Sequence, residues 1–278
     1  MQLHTDPAFD RLLLRSLSVT AVGAANATAI AGVGTQVAPG EVVSWERYWR
    51  REGDRALERA DDRLAADDVS GAGRQLLSAS WSYGQAAHFY RSDPASEMWQ
   101  TNRLSQISAF QAAIPLLPNR CEPIVMSTRV GNCHGYLIGE EQNAGAYVLI
   151  PVGVEMSAED SYALFASTAE AVGARCLVID LCMSDGTRAA DADVMGTALT
   201  WLTGRSSKVF VLGWGALASR TVAAIGDHSG LAAVLCCPDA AEADAVCRLL
   251  PALECPSVLL PPDSEVAAGL RWLPSNVP

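Results

Sequence analysis

Four short stretches of the sequence place groups capable of chemistry where an apolar run stops. Asp180 ends the run Cys176–Asp180, Asp239 follows Leu231–Cys237, and Asp263 follows Ser257–Leu260. A carboxylate in such a place can move a proton or steady a developing positive charge. The fourth stretch, Gly213-Trp214-Gly215-Ala216-Leu217, joins the run Lys208–Leu212 to a helical segment. Small residues there let a helix start close behind a strand and bring backbone N–H groups toward a ligand. Cys182, two residues after Asp180, is a thiol at a strand end, and Gly153 and Val154 follow the run Ala146–Pro151. His134 lies between Cys133 and Gly135, where it reads as an ordinary turn histidine rather than a base.

The elements that must position these groups change character near residue 120. Before it the spacing is helical: Trp45, Trp49, Ala56, Leu57, Ala60 and Leu64 recur at three and four. Leu76, Leu77, Ser80, Tyr83, Ala87 and Tyr90 continue the rhythm after a break expected at Gly71–Gly73, and a second Gly-rich interruption is expected near Gly32–Gly40. Asp93-Pro94 opens a further helix toward Leu116. The series Arg47, Arg50, Arg51, Arg55, Arg59 and Arg63, interleaved with Glu46, Glu52, Glu58, Asp61 and Asp62, reads as a solvated, salt-bridged helix face. After residue 120, a hairpin of Pro123–Thr128 with Tyr136–Gly139 leads into five apolar runs. Helical segments Ala158–Val172, Asp191–Leu202, Ala216–Ile225 and Ala241–Leu250 separate them. Continuous apolar strands alternating with amphipathic helices imply a mostly parallel sheet covered on both faces. Ligands of such sheets sit beyond the carboxyl ends of the strands, where the groups above collect. Two domains are therefore expected, a helical arm over 1–120 and an α/β core over 121–278.

Composition narrows the function. The 278 residues carry a net charge of −11, half are hydrophobic and 18% are charged. An acidic surface disfavours nucleic acid and anionic lipid. Eight cysteines show no CxxC spacing and there are four histidines, so neither a metal nor any other cofactor is expected, and the thiols read as reduced. Leu12–Gly34 is apolar, but Asp6, Asp10 and Arg15 stand where a signal peptide would not place them. A cytoplasmic protein that takes a small molecule and binds neither nucleic acid nor membrane is expected, with a homodimer left open.

The order of these elements resembles that of α/β-hydrolases with an N-terminal helical arm, a group that includes FrsA-like esterases, pseudooxynicotine-type carbon–carbon hydrolases and fungal polyketide-shortening hydrolases. The resemblance is carried by Trp45…Trp49…Ala56…Ala60, by Tyr83-Gly-Gln-Ala-Ala-His-Phe-Tyr90, by Gly135-Tyr136-Leu137, and by Val148–Gly153 and Ala174–Asp180. It implies a nucleophile elbow, G-x-S-x-G, between strand and helix. Here the segment reads Gly213-Trp214-Gly215-Ala216-Leu217, with Gly215 at the serine position; Ser219 lies one helical turn too late to replace it. Asp263 stands where the acid is often found, and no histidine follows His228 in these 278 residues, so the triad is expected to be degenerate. Val152-Gly153 falls where the resembled enzymes carry their oxyanion-hole His-Gly pair.

The resemblance therefore points to an α/β-hydrolase-like core that does not hydrolyse. Such a protein is expected to bind a small, largely apolar substrate between arm and core and to promote cyclisation, isomerisation or elimination in natural-product biosynthesis. Asp263, Asp180 and Asp239 are the catalytic candidates; Gly153, Val154, Cys182, Trp214, Gly215, Ala216, Tyr83 and Tyr90 are the substrate-binding ones. Two alternatives stand beside this reading. One is a catalytically inactive pseudoenzyme that acts as a binding or partner subunit. The other takes Gly213-x-Gly215-x-x-Ala218 as a dinucleotide fingerprint, with Asp239 as its ribose carboxylate.

Overall fold

The structure, a computed structural model, describes residues 2–129, 131–141, 145–153, 156–181, 188–225, 231–237, 243–252, 255 and 257–259. It divides into two compact units, Met1–Pro118 and Asn119–Pro278.

The first unit is helical: α1 (Pro7–Ser18), α2 (Ala27–Gln36), α3 (Val42–Ala65), α4 (Val69–Ala87) and α5 (Glu97–Ala113). Side chains with acceptor oxygens stop the chain at most helix starts. Asp6, Asn26, Asp68 and Ser96 each take a backbone N–H from the first turn that follows. Indoles and phenols join the helices. Trp45 Nε1 donates to the Gln85 carbonyl at 2.8 Å, Tyr48 donates to the Ala29 carbonyl at 2.7 Å, and Trp81 Nε1 donates to Ser16 Oγ at 3.0 Å. Phe9 packs on Trp45 with ring centroids 4.6 Å apart, and Phe89 meets Trp45 edge-on at 5.7 Å.

Three sequence expectations change here. The interruption expected near Gly32–Gly40 falls at 37–41, around Gly40, while Gly32 and Gly34 lie inside α2, and a Cβ on Gly32 would run into the Tyr48 hydroxyl. Gly71 and Gly73 likewise lie within the start of α4. The Gly71 N–H goes to Asp68, and a Cβ on Gly73 would stand 2.7 Å from the Leu116 carbonyl oxygen. These glycines permit close approach rather than breaking helices. Glu46 and Glu52, read as part of a solvated face, are 6% and 9% exposed.

The second unit holds β1 (Cys121–Thr128), β2 (Gly131–Ile138), β3 (Ala146–Val152), β4 (Ala174–Asp180), β5 (Val209–Trp214), β6 (Leu231–Cys237) and β7 (Ser257–Leu259). Between and around them run α6 (Ala158–Val172), α7 (Arg188–Thr203), α8 (Ala218–Ile225) and α9 (Ala243–Leu249). Among the described residues these seven strands form one sheet in the order β1-β2-β4-β3-β5-β6-β7. β2 runs antiparallel to both its neighbours, and the pairs from β4 to β7 are parallel. The apolar runs thus become central strands, as continuous hydrophobicity requires when helices cover both faces. Side chains alternate between those faces. Leu149, Leu177, Ile179, Val209 and Val211 pack with Met195, Leu199 and Val222 of α7 and α8. On the opposite face Tyr136 reaches Glu159 of α6, and Trp214 meets Phe165 of α6 edge-on at 6.3 Å. Among the described residues no helix is long and apolar enough to cross a membrane.

Candidate functional site

β3, β4 and β5 end side by side. Val152 pairs with Asp180, and on its other side β3 pairs with β5 from Tyr147–Val209 to Leu149–Val211. β3 lies between β4, which ends at Asp180, and β5, which ends at Trp214. Both side chains belong to the α6 face by alternation. Asp180 is 5% exposed, and Trp214 leans on Phe165. Gly153 follows directly on β3 and is buried. The strand ends thus combine an apolar wall with one buried carboxylate.

The chain leaves β5 through a turn that only a few residues tolerate. Gly215 has φ +56°, in the left-handed region that favours glycine. A 3-10 turn over Gly215–Leu217 then leads into α8. Two residues before the turn, a Cβ on Gly213 would stand 3.2 Å from both the Cα and the carbonyl oxygen of Ala218, so the strand and the returning helix require glycine there. The described strands are parallel except for the second, and a left-handed residue leads from the fifth strand into its helix. This is the α/β-hydrolase fold. Ala216 is the second residue of that 3-10 turn.

Among solved structures, the chain is similar to 2,6-dihydroxy-pseudo-oxynicotine hydrolase, at 20% identity and a TM-score of 0.63 over 79% of this chain and 63% of that one. It is also similar to wild-type AbyA5, at 16% identity and a TM-score of 0.56 over 84% and 70% of the two chains. A second AbyA5 structure gives 15% identity and a TM-score of 0.52, over 75% of this chain and 64% of that one. The chain therefore spans less than two thirds of the hydrolase. At these identities the likeness is one of fold. No protein-family model and no curated protein matches the sequence.

The α/β-hydrolase fold brings Gly153, Asp180, Trp214 and Gly215 to one end of the sheet, together with the Ala216 backbone. Val154, Cys182, Asp239 and Asp263 lie outside the described residues. Tyr83 and Tyr90 belong to the helical unit. Tyr83 packs among Ala56, Ala79 and Ala109 and donates to Asp54 Oδ1 at 2.7 Å; burial, then that bond and the Asp54 charge, hold its pKa above the phenol range. Tyr90 ends the 3-10 turn after α4 and is half-buried. His134 is exposed on β2, which is separated from β5 by two strands. The Cys133 thiol is pushed up to about 12 by burial, with the Asp180 charge adding to it, so it is no nucleophile at neutral pH. Among the described residues no three of His, Cys, Asp and Glu gather so as to hold a metal ion.

The fingerprint alternative meets a different sheet. A dinucleotide fold of order 3-2-1-4-5-6 carries its Gly-rich turn on the first strand, whereas this turn leaves the fifth.

Sequence reasoning missed two buried carboxylates of this unit. Tyr136 donates to Glu159 Oε1 at 3.0 Å, with Glu159 4% exposed. Asp191 of α7, 2% exposed, receives both ends of the Arg220 guanidinium of α8 at 2.9 Å. Partners 23 and 29 residues apart leave no local spacing signal; only the Ser157-x-x-Asp160 capping box was there to mark the start of α6.

Proposed function

We propose that the chain is a non-hydrolytic protein of the α/β-hydrolase fold. In this reading it binds a small, largely apolar molecule at the carboxyl ends of β3, β4 and β5. There it promotes cyclisation, isomerisation or elimination of a natural-product intermediate. The observation that carries the reading is the elbow: the left-handed turn and its close glycine are kept, and the position of the attacking hydroxyl is Gly215. Without that hydroxyl no acyl-enzyme forms at the turn. What is left suits reactions that need no covalent intermediate. A rigid apolar wall holds one substrate geometry, backbone donors favour a developing oxyanion, and Asp180 is the group there able to move a proton. The natural-product assignment is supported by the arm-bearing group that the sequence resembles, and AbyA5 is among the structural neighbours.

Comparing metabolites of the source organism with and without the gene, followed by incubating the purified chain with whatever accumulates, tests the reading. Conversion of that intermediate without incorporation of water is expected, with Asp180→Asn slowing it about a hundredfold. In parallel, the protein is expected to resist fluorophosphonate labelling and to leave p-nitrophenyl esters intact. Labelling of any residue would overturn the non-hydrolytic reading, and an unchanged metabolite profile would favour a binding subunit.

A further inference from the structure

The helical unit buries a carboxylate that the strand-end chemistry does not use. Glu46, near the start of α3, is 6% exposed. Asn102 of α5 is fully buried and donates its amide nitrogen to Glu46 Oε1 at 2.9 Å and to the Met98 carbonyl at 3.0 Å. Those two bonds commit the nitrogen and settle which end of the amide is which. Asn102 Oδ1, on the same planar group and therefore beside the carboxylate, is buried with no hydrogen-bond partner. The counter-charge for Glu46 is Arg50, 3.9 Å away on a side chain that is 44% exposed and so screened by solvent. The Tyr90 hydroxyl lies near enough that, after burial, the Glu46 charge helps to raise its pKa.

Two buried acceptors share this place, a carboxylate with one buried donor and a solvent-screened counter-charge and an amide oxygen with no partner, so a further donor and positive charge suit it. A hydroxyl would bring one donor and no charge. An ammonium brings three donors and the charge, and an aromatic ring at the edge favours it further. Full burial of Asn102 restricts the occupant to the end of a small molecule. We infer that Glu46 and Asn102, with Tyr90 at their edge, bind the protonated amine of a small organic ligand. This site is built within the helical unit alone and stands independently of how the elbow is read.

The test is a titration of the full chain with benzylamine and, in parallel, with benzyl alcohol, followed by calorimetry and tryptophan fluorescence. The amine is expected to bind saturably and at least tenfold more tightly than the alcohol. Glu46→Gln is expected to erase that difference, and Asn102→Leu to weaken amine binding several-fold. Equal affinities, no saturable binding of the amine, or a preference that survives Glu46→Gln or Asn102→Leu undiminished would overturn the inference. The comparison of the two ligands on the unaltered chain decides the matter even where a variant does not fold.

Discussion

In the helical unit, ring nitrogens and hydroxyls reach from one helix to the backbone of another, as Trp45 does to Gln85 and Tyr48 to Ala29. In the sheet unit, the strand ladder holds the backbone, and aliphatic side chains fill the space behind it. Side-chain identity is therefore structural in the first unit. In the second, the shape of the candidate site is set by backbone and by the absence of side chains at Gly213 and Gly215. A turn made that way can keep its geometry when a neighbouring side chain is replaced. A helix pair joined by an indole cannot.

Truncation should separate the two most sharply. Trp45→Ala removes a fully buried indole, its contacts with Phe9 and Phe89, and the donor to Gln85. A loss of about 3–5 kcal/mol in urea unfolding is expected; a loss below about 1 kcal/mol would mean that the helical unit does not depend on its ring bridges. In the sheet unit side chains also join elements, as the Asp191–Arg220 pair does between α7 and α8. Arg220→Leu removes both guanidinium bonds to the buried Asp191, and should cost about 3 kcal/mol by the same measurement.

Acid sharpens the contrast through His88. Burial first, then the charges of Arg91 and Arg15, push its pKa down to about 3 from the usual 6.5. Between those values the unfolded chain binds a proton that the folded chain does not, so this contribution is complete above pH 6.5 and is lost as the pH falls toward 3. For a half-buried ring the effect at pH 5 should be about 1–2 kcal/mol. Stability measured against pH should flatten over that window in His88→Gln, and an unaltered slope would show that the loss arises elsewhere. The smallest effect is expected at the elbow. Gly215→Ala places a Cβ at φ +56° and should cost about 1 kcal/mol while leaving the sheet intact. A much larger loss would show that the turn depends on its residue after all.

Much of the sheet unit was legible because its signals are local. A run such as Leu231–Cys237 is long enough for a strand and too short for a helix, and it forms β6. Ala158–Val172 announces itself by its cap at Ser157. The turn after β5 could be read for the same reason: strand, small residues and helix adjoin in the chain. The helical unit hid more. Gly32 and Gly73 look like breaks, but their meaning lies in Tyr48 and Leu116, which only the packed structure brings beside them. Glu46 sits in an alternation of arginine and glutamate, and periodicity does not tell which charge turns inward toward Asn102, 56 residues on.

Gly215 also bears on the history of the chain. A serine at φ +56° would occupy a conformation that disfavours any side chain, whereas glycine adopts it freely. On the non-hydrolytic reading, exchange of one for the other releases stability at the moment the nucleophile disappears. Drift and selection for folding then act in the same direction, and the way back to a nucleophile runs uphill for the fold before any catalysis could reward it.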